Sequence, residues 1–97
     1  MNQQSLISAD EFCVRHQIEI SFLTTLHEYG LVNVISREQT VFIKEEELPR
    51  LEQILLFNKD LDINLEGVEV IVRLLDKVQR IQEEMNYLKN KLRMYEK

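Results

Sequence analysis

The chain contains very few residues that interrupt regular secondary structure, with Gly 2 and Pro 1 among its 97 residues. Hydrophobic residues make up 44% and charged residues 30%, a composition typical of an ordered protein rather than a disordered one. The single cysteine, Cys13, excludes an internal disulfide. No apolar run approaches the roughly 20 residues of a membrane-spanning helix, and the first residues show no secretion signal. We expect one mainly helical domain located in the cytoplasm.

Motifs of enzymes and cofactor sites are also missing. Neither Gly30 nor Gly67 lies in a nucleotide-binding pattern, and the two histidines, His16 and His27, form no metal-binding spacing with Cys13. We expect Cys13 to be a small buried core residue and His27 to be a solvated or capping residue. The sequence therefore predicts a protein that is not an enzyme and that binds no metal or cofactor.

Positive charge is scarce in the larger, N-terminal part of the chain. Residues 1–76 contain 6 Lys or Arg against 14 Asp or Glu, whereas residues 77–97 contain 6 against 3. The net charges of these two parts are −8 and +3. Proteins that bind nucleic acids need clustered cations to contact the phosphates. We therefore expect the N-terminal part not to bind nucleic acid.

Capping signals mark two short helices near the start of the chain. Ser8 and Glu11 form a capping box, which begins a helix that ends near His16. A second helix is predicted over residues 19–29, and Gly30 supplies the left-handed position that ends it. Two short helices joined by a tight turn make a helix-turn-helix unit.

A β-hairpin and a third helix are predicted next. Residues 31–35 and 41–43 are β-branched and aromatic runs on either side of a turn over residues 36–40, which together form a wing. The acidic residues 45–47 favour a helix start, and Pro49 is tolerated only within about the first turn. The buried face of this helix is predicted to contain Leu48, Leu51, Ile54, Leu55 and Phe57.

A long helix from Leu65 to Tyr95, capped by Asn64, is predicted to follow the body of residues 1–63. One stripe of this helix repeats in steps of three and four residues, which is the pattern of a coiled coil. This heptad seam consists of Ile71, Leu74, Val78, Ile81, Met85, Leu88, Leu92 and Tyr95. A second stripe, suited to packing on the body, consists of Leu65, Val68, Val72 and Leu75. Residues 64–97 are thus predicted to pack on the body and to form a homodimer, with a seam folded back on its own domain as the alternative.

The order of these elements resembles the MerR-type winged helix-turn-helix regulators over nearly the whole chain. The likeness includes the end of the second helix, residues 28–32 (Glu-Tyr-Gly-Leu-Val), and the opening of the third, residues 42–48. It implies a mainly α fold with a small β-hairpin wing and a long C-terminal coiled-coil helix. Those regulators carry an arginine followed by aromatic residues, where this chain has residues 24–26 (Thr-Thr-Leu), and a basic wing, where it has only Arg37 beside Glu38.

A closer resemblance is to CbpM, a family of small MerR-like chaperone modulators. The matching residues are Ile7-Ser8, Glu11-Phe12-Cys13, Gly30-Leu31, Phe42-Ile43, Glu45-Glu46, Leu48-Pro49 and, most specific of all, the run from Asp60 to Val68. The resemblance implies a partner, the J-domain of a DnaJ-like co-chaperone of the CbpA type. It also implies inhibition, since the modulator occupies the J-domain surface that otherwise engages Hsp70.

The charge of residues 44–69 agrees with such a partner, because J-domains present a basic helix and this segment has 3 cations against 8 anions. The candidate protein-binding residues are Glu45, Glu46, Glu52, Asp60, Asp62, Glu66 and Glu69. Each of them also has an ordinary structural explanation as a helix-start or turn residue.

Two other functions remain open from the sequence. The first is a MerR-type transcription regulator that reads a palindromic DNA site as a dimer. The second is an oligomerisation adaptor that recruits an unrelated partner through the end of its long helix.

Overall fold

Helices dominate the structure, a computed structural model that describes residues 5–96. The elements in chain order are β1 (Leu6–Ser8), α1 (Ala9–His16), α2 (Ile20–Glu28), β2 (Val34–Arg37), β3 (Thr40–Lys44), a 3₁₀ turn (Glu45–Glu47), α3 (Leu48–Leu55), a π-turn (Leu56–Asp60) and α4 (Leu65–Tyr95). This arrangement confirms the predicted mainly α, winged helix-turn-helix fold. Residues 1–4 of the predicted body and Lys97 of the predicted long helix lie outside the described residues.

The first helix begins and ends close to where the capping signals place it. The hydroxyl of Ser8 accepts a hydrogen bond from the amide of Glu11 at 3.3 Å, which satisfies one of the free donors at the helix start. After His16 the chain turns through Gln17, whose φ of 57° lies in the left-handed region. This turn brings α2 directly after α1.

The second helix ends at Gly30 as predicted. Gly30 has a φ of 77°, its amide donates to the carbonyl of His27, and the amide of Leu31 donates to the carbonyl of Leu26, both at 3.0 Å. This pair of bonds is a Schellman motif, which requires a residue of positive φ directly after the helix. Leu31 is consequently turned back into the core and is buried, as is Val32. The prediction of a strand over residues 31–33 was therefore wrong.

The wing is a sheet of three strands in the order β1-β3-β2, rather than the predicted hairpin of two. β1 pairs antiparallel with β3, with Ile7 opposite Ile43. A strand of three residues is too short to show a period of its own, so only its pairing with β3 identifies it. The turn between β2 and β3 contains only Glu38 and Gln39, with φ of 51° and 67°. Two successive positive φ values indicate a type I′ turn, for which this sequence lacks the usual Asn or Gly.

The third helix follows the 3₁₀ turn and accepts Pro49 in its first turn, as predicted. Its predicted inner face is confirmed, with Leu51, Ile54 and Leu55 buried and Leu48 and Phe57 half-buried. The chain then continues into the π-turn, which the sequence analysis did not predict. The amide of Leu61 closes this turn by donating to the carbonyl of Leu56 at 3.0 Å.

A single hydrophobic core joins the two short helices, the sheet, α3 and the start of α4. Its buried side chains are Ala9, Phe12, Cys13, Leu23, Leu26, Leu31, Val32, Ile43, Leu51, Ile54, Leu55, Val68 and Val72. Each element contributes one apolar face, which is the usual construction of a small domain.

The long helix α4 leaves this core after its first two turns. Asn64 caps it by accepting from the amide of Gly67 at 2.8 Å, and Val68 and Val72 are buried whereas Leu75 is exposed. The radius of gyration is 17.4 Å, against about 13 Å for a compact chain of this length. The distal part of α4 therefore projects from the body as predicted. None of the helices within residues 5–96 is both long and apolar enough to cross a bilayer.

We expect Asn64→Ala to lower the free energy of unfolding by about 1 kcal/mol, because it removes the N-cap of α4. The matched control is Asn90→Ala, at an exposed position within the same helix, where alanine raises helix propensity. Urea unfolding followed by circular dichroism, at one fixed protein concentration, compares the two variants. Equal losses of stability would contradict the assigned cap.

We expect Cys13 to react slowly with a thiol reagent at about pH 8 in the folded protein and much faster in urea. Burial raises the pKa of its thiol above the ordinary value, and the negative charge of Asp10 raises it further. Less thiolate is then present at that pH, and access is blocked as well. Equal rates of absorbance change in buffer and in urea would show that Cys13 is not buried.

Candidate functional site

The acidic residues predicted to bind a partner surround the segment that runs from the 3₁₀ turn to the start of α4. Glu69 is half-buried, and the other candidates are exposed; these are Glu45, Glu46, Glu52, Asp60, Asp62 and Glu66. Exposure leaves these carboxylates accessible to another protein.

The structure divides the candidates among different places. Glu52 and Asp60 line one groove, between the end of α1 and the π-turn. Glu46 lines a second groove, near the root of the long helix, together with Arg50 and Asp76. Glu69 forms a salt bridge with Arg73 on its own helix. Glu45 belongs to the 3₁₀ turn and Glu66 to the first turn of α4. The seven candidates therefore do not form one contiguous surface.

Three positive side chains, those of Arg50, Arg73 and Lys59, connect separate elements of the chain. The guanidinium of Arg50 forms a salt bridge with Asp76, which connects α3 to α4. Arg73 donates to the carbonyl of Tyr29 at 3.0 Å as well as to Glu69. These contacts attach the root of the long helix to α3 and to the end of α2.

The third of these side chains, Lys59, lies in the π-turn. Its ammonium donates to the carbonyl of His16 at 2.8 Å and to that of Gln17 at 3.4 Å. These carbonyls form the C-terminal end of α1, where the partial negative charge of the helix dipole favours a cation. Lys59 thereby connects the π-turn to the helix-turn-helix unit.

Most of the candidate carboxylates form no salt bridge with a described cation. Among residues 5–96, no salt bridge joins Glu45, Glu46, Glu52, Asp60, Asp62 or Glu66 to a cation of the chain. The cations of this segment are thus used internally, while its anions face the solvent. The surface around α3 and the π-turn keeps the negative charge that the residue count indicates, 3 cations against 8 anions over residues 44–69.

Two leucines of the π-turn region are exposed beside these acids, and sequence reasoning missed both. Leu56 has an exposed fraction of 47% and Leu61 of 56%. Leu56 lines the same groove as Glu52 and Asp60, and Leu61 follows Asp60 directly. The only sequence signal was that both leucines fall outside the periodic buried face of the third helix.

The surface that reads DNA in helix-turn-helix proteins is poor in positive charge here. α2 contains no Lys or Arg. The hydroxyls of Thr24 and Thr25 donate to carbonyls of their own helix, those of Ile20 and Ser21, at 3.3 and 3.0 Å. Leu26 is buried. Arg37 at the tip of the wing is exposed, next to Glu38.

His27 and the metal-binding residue types are placed as follows. His27 is exposed in the last turn of α2, and its Nδ1 lies 3.3 Å from the carbonyl oxygen of Val32. Within residues 5–96 no group of three His, Cys, Asp or Glu side chains has a geometry suited to a metal ion.

The heptad seam is not covered by the chain itself. Ile71 is half-buried at the root of the helix, whereas every later seam position is exposed by 45% or more; these positions are Leu74, Val78, Ile81, Met85, Leu88, Leu92 and Tyr95. The alternative in which the seam folds back on its own domain is therefore wrong for residues 5–96.

Comparison with known proteins assigns the family but not the partner. No curated protein matches the chain. The family model described as MerR HTH family regulatory protein matches residues 7–90. This match spans the helix-turn-helix unit, the wing, α3 and most of α4, the same elements that form the fold. The chain belongs to the MerR helix-turn-helix family of regulatory proteins.

Proposed function

We propose that this chain is a cytoplasmic chaperone modulator of the CbpM type, which binds and inhibits the J-domain of a DnaJ-like, CbpA-type co-chaperone. One observation carries the proposal. The exposed carboxylates around α3 and the π-turn have no salt-bridge partner within residues 5–96, whereas Arg50, Lys59 and Arg73 bond to other groups of the chain. A surface of this kind favours a basic protein over a phosphate backbone.

In this proposal the chain inhibits the J-domain by occupying the surface that engages Hsp70. J-domains engage Hsp70 through a basic helix, and a modulator bound to that helix competes with Hsp70 for it. The negative potential of the body accelerates the encounter between modulator and J-domain, and it orients the basic helix toward the acidic surface. No catalytic group is required for this effect.

The charge of the helix-turn-helix surface weighs against DNA binding. Retention on DNA depends largely on Lys and Arg contacts to phosphates, and α2 has none to offer. The wing supplies Arg37, whose neighbour Glu38 opposes its charge.

We propose further that the chain acts as a homodimer joined through the heptad seam. The seven exposed seam residues form an apolar stripe along the arm, and a second copy carries the same stripe. The β-branched side chains of Ile71 and Val78, with leucine at Leu74 and Leu88, are typical of two-stranded coiled coils.

We expect the chain to bind the J-domain one to one per subunit, and we expect the association rate to fall as salt rises. Charge reversal by Asp60→Lys with Asp62→Lys reduces that rate about tenfold at low salt, because it inverts the local potential. The control, Glu28→Lys with Glu83→Lys, changes the net charge equally but at remote exposed positions. Stopped-flow fluorescence measures the rates. Association rates that change neither with salt concentration nor on charge reversal would rule out electrostatic docking.

We expect Leu88→Glu to convert the dimer to a monomer in sedimentation experiments, because it places a charge in the apolar seam. The control is Asn90→Glu, an equal change in charge on the other side of the same exposed arm. Helix content is kept in both variants, since Glu favours helix. A wild-type monomer, or two variants that sediment alike, would remove the seam as the dimer contact.

A further inference from the structure

We infer that partner docking is centred on one part of the acidic segment, the turn patch, formed by Glu52, Leu56, Asp60, Leu61 and Asp62. The patch receives a basic amphipathic helix, with the two leucines as apolar anchors and the three carboxylates around them. The inference depends on the proposed function for the identity of the partner. The geometry of the patch stands independently of that identity.

The apolar part of the patch consists of two exposed leucines. Leu56 and Leu61 are 47% and 56% exposed, although Leu51, Ile54 and Leu55 just before them are buried. Leu56 lies off the apolar face of α3 that contains Leu51, Ile54 and Leu55, and Leu61 comes after the π-turn that ends this face. The amide of Leu61 bonds to the carbonyl of Leu56 at 3.0 Å, so the backbones of these two residues lie side by side.

The charges around the leucines define the partner that fits. Glu52 and Asp60 line the groove that contains Leu56, and Asp62 follows Leu61 directly. Lys59 lines the same groove and donates to the carbonyls of His16 and Gln17 at the end of α1, so the carboxylates of Glu52 and Asp60 outnumber it there. An apolar contact inside a negative rim is complementary to an apolar stripe flanked by Lys or Arg. An amphipathic helix with Lys or Arg beside an apolar stripe is an element that meets both requirements.

The patch is held in shape before any partner arrives. The amide of Ile63 donates to the carbonyl of Phe57 at 3.0 Å, and the side-chain amide of Asn58 donates to the carbonyl of Ile63 at 2.9 Å. Lys59 fixes the turn to the end of α1. Little conformational freedom remains to be lost on binding, so contacts made here contribute more fully to affinity.

The other candidate carboxylates lie outside the patch. Glu69 is paired with Arg73, and Glu46 lines the groove near the root of α4. Glu45 and Glu66 belong to other turns of the chain. These carboxylates add to the negative potential around the chain, but in this inference they do not contact the partner helix that docks on the turn patch.

Two variants of the full-length chain test the inference. The first is Leu56→Ser with Leu61→Ser, controlled by Val14→Ser with Ile20→Ser, two apolar residues exposed elsewhere. The second is Glu52→Gln with Asp60→Asn and Asp62→Asn, controlled by Glu45→Gln, Glu46→Gln and Glu66→Gln, an equal change in charge. Circular dichroism confirms folding, and sedimentation reports the oligomeric state.

The probes are the J-domain of a CbpA-type co-chaperone and a synthetic amphipathic helical peptide of lysine and leucine. Affinity is measured by fluorescence anisotropy, and the footprint by amide chemical shifts. We expect each patch variant to raise Kd for the J-domain at least about tenfold and each control less than about twofold. The shifted amides are expected to lie in residues 52–62.

The outcomes separate the inference from the proposed function. A J-domain that binds elsewhere, with patch variants behaving as their controls, overturns the turn patch and leaves the proposed function standing. A J-domain that does not bind, beside a peptide that binds at residues 52–62, overturns the proposed function and supports the patch. If neither probe binds the chain at any site, both the proposed function and the turn patch are overturned. Loss of the dimer in the leucine variant overturns the inference too, since the patch is then a contact between copies of this chain.

Discussion

Hydrogen bonds and salt bridges between positive side chains and other groups of the chain are the constraint on which the surface of this protein depends. Lys59 connects the π-turn to the end of α1, while Arg50 and Arg73 attach the root of α4 to α3 and to the end of α2. Exposed ion pairs of this kind add little to stability. Their effect is to fix the relative positions of the helices, and the acids outside these contacts remain exposed.

The hydrophobic core supplies the stability, and it uses only one part of the long helix. Val68 and Val72 are buried in the body, whereas the chain beyond them extends into solvent with its seam uncovered. One helix therefore has two separate roles, with its first turns completing the body and its remainder free to contact another molecule. A fold associated with DNA binding can serve a different function when the residues on its surface change.

Signals between residues close in sequence predicted much of this fold. The rest depends on contacts between residues that are distant in sequence. Ser8, Gly30 and Asn64 act on residues within four positions of themselves, so the sequence alone reveals their caps. β1 is identified only by its pairing with β3, which is distant in sequence. The turn at Glu38 lacks the Asn or Gly that usually indicates a type I′ turn. The acids were visible as charge, but their division into separate surfaces depends on tertiary packing. Leu56 lies outside the predicted buried face of the third helix, whereas the position of Leu61 depends on the π-turn, which the sequence did not indicate.

We propose that this MerR-family chain regulates a protein rather than DNA. The most direct measurement is the ATP hydrolysis rate of an Hsp70 stimulated by an intact CbpA-type co-chaperone, followed as the chain is added. The account predicts that stimulation falls to the basal rate as the chain reaches one subunit per J-domain. Undiminished stimulation at a large excess of the chain would contradict it.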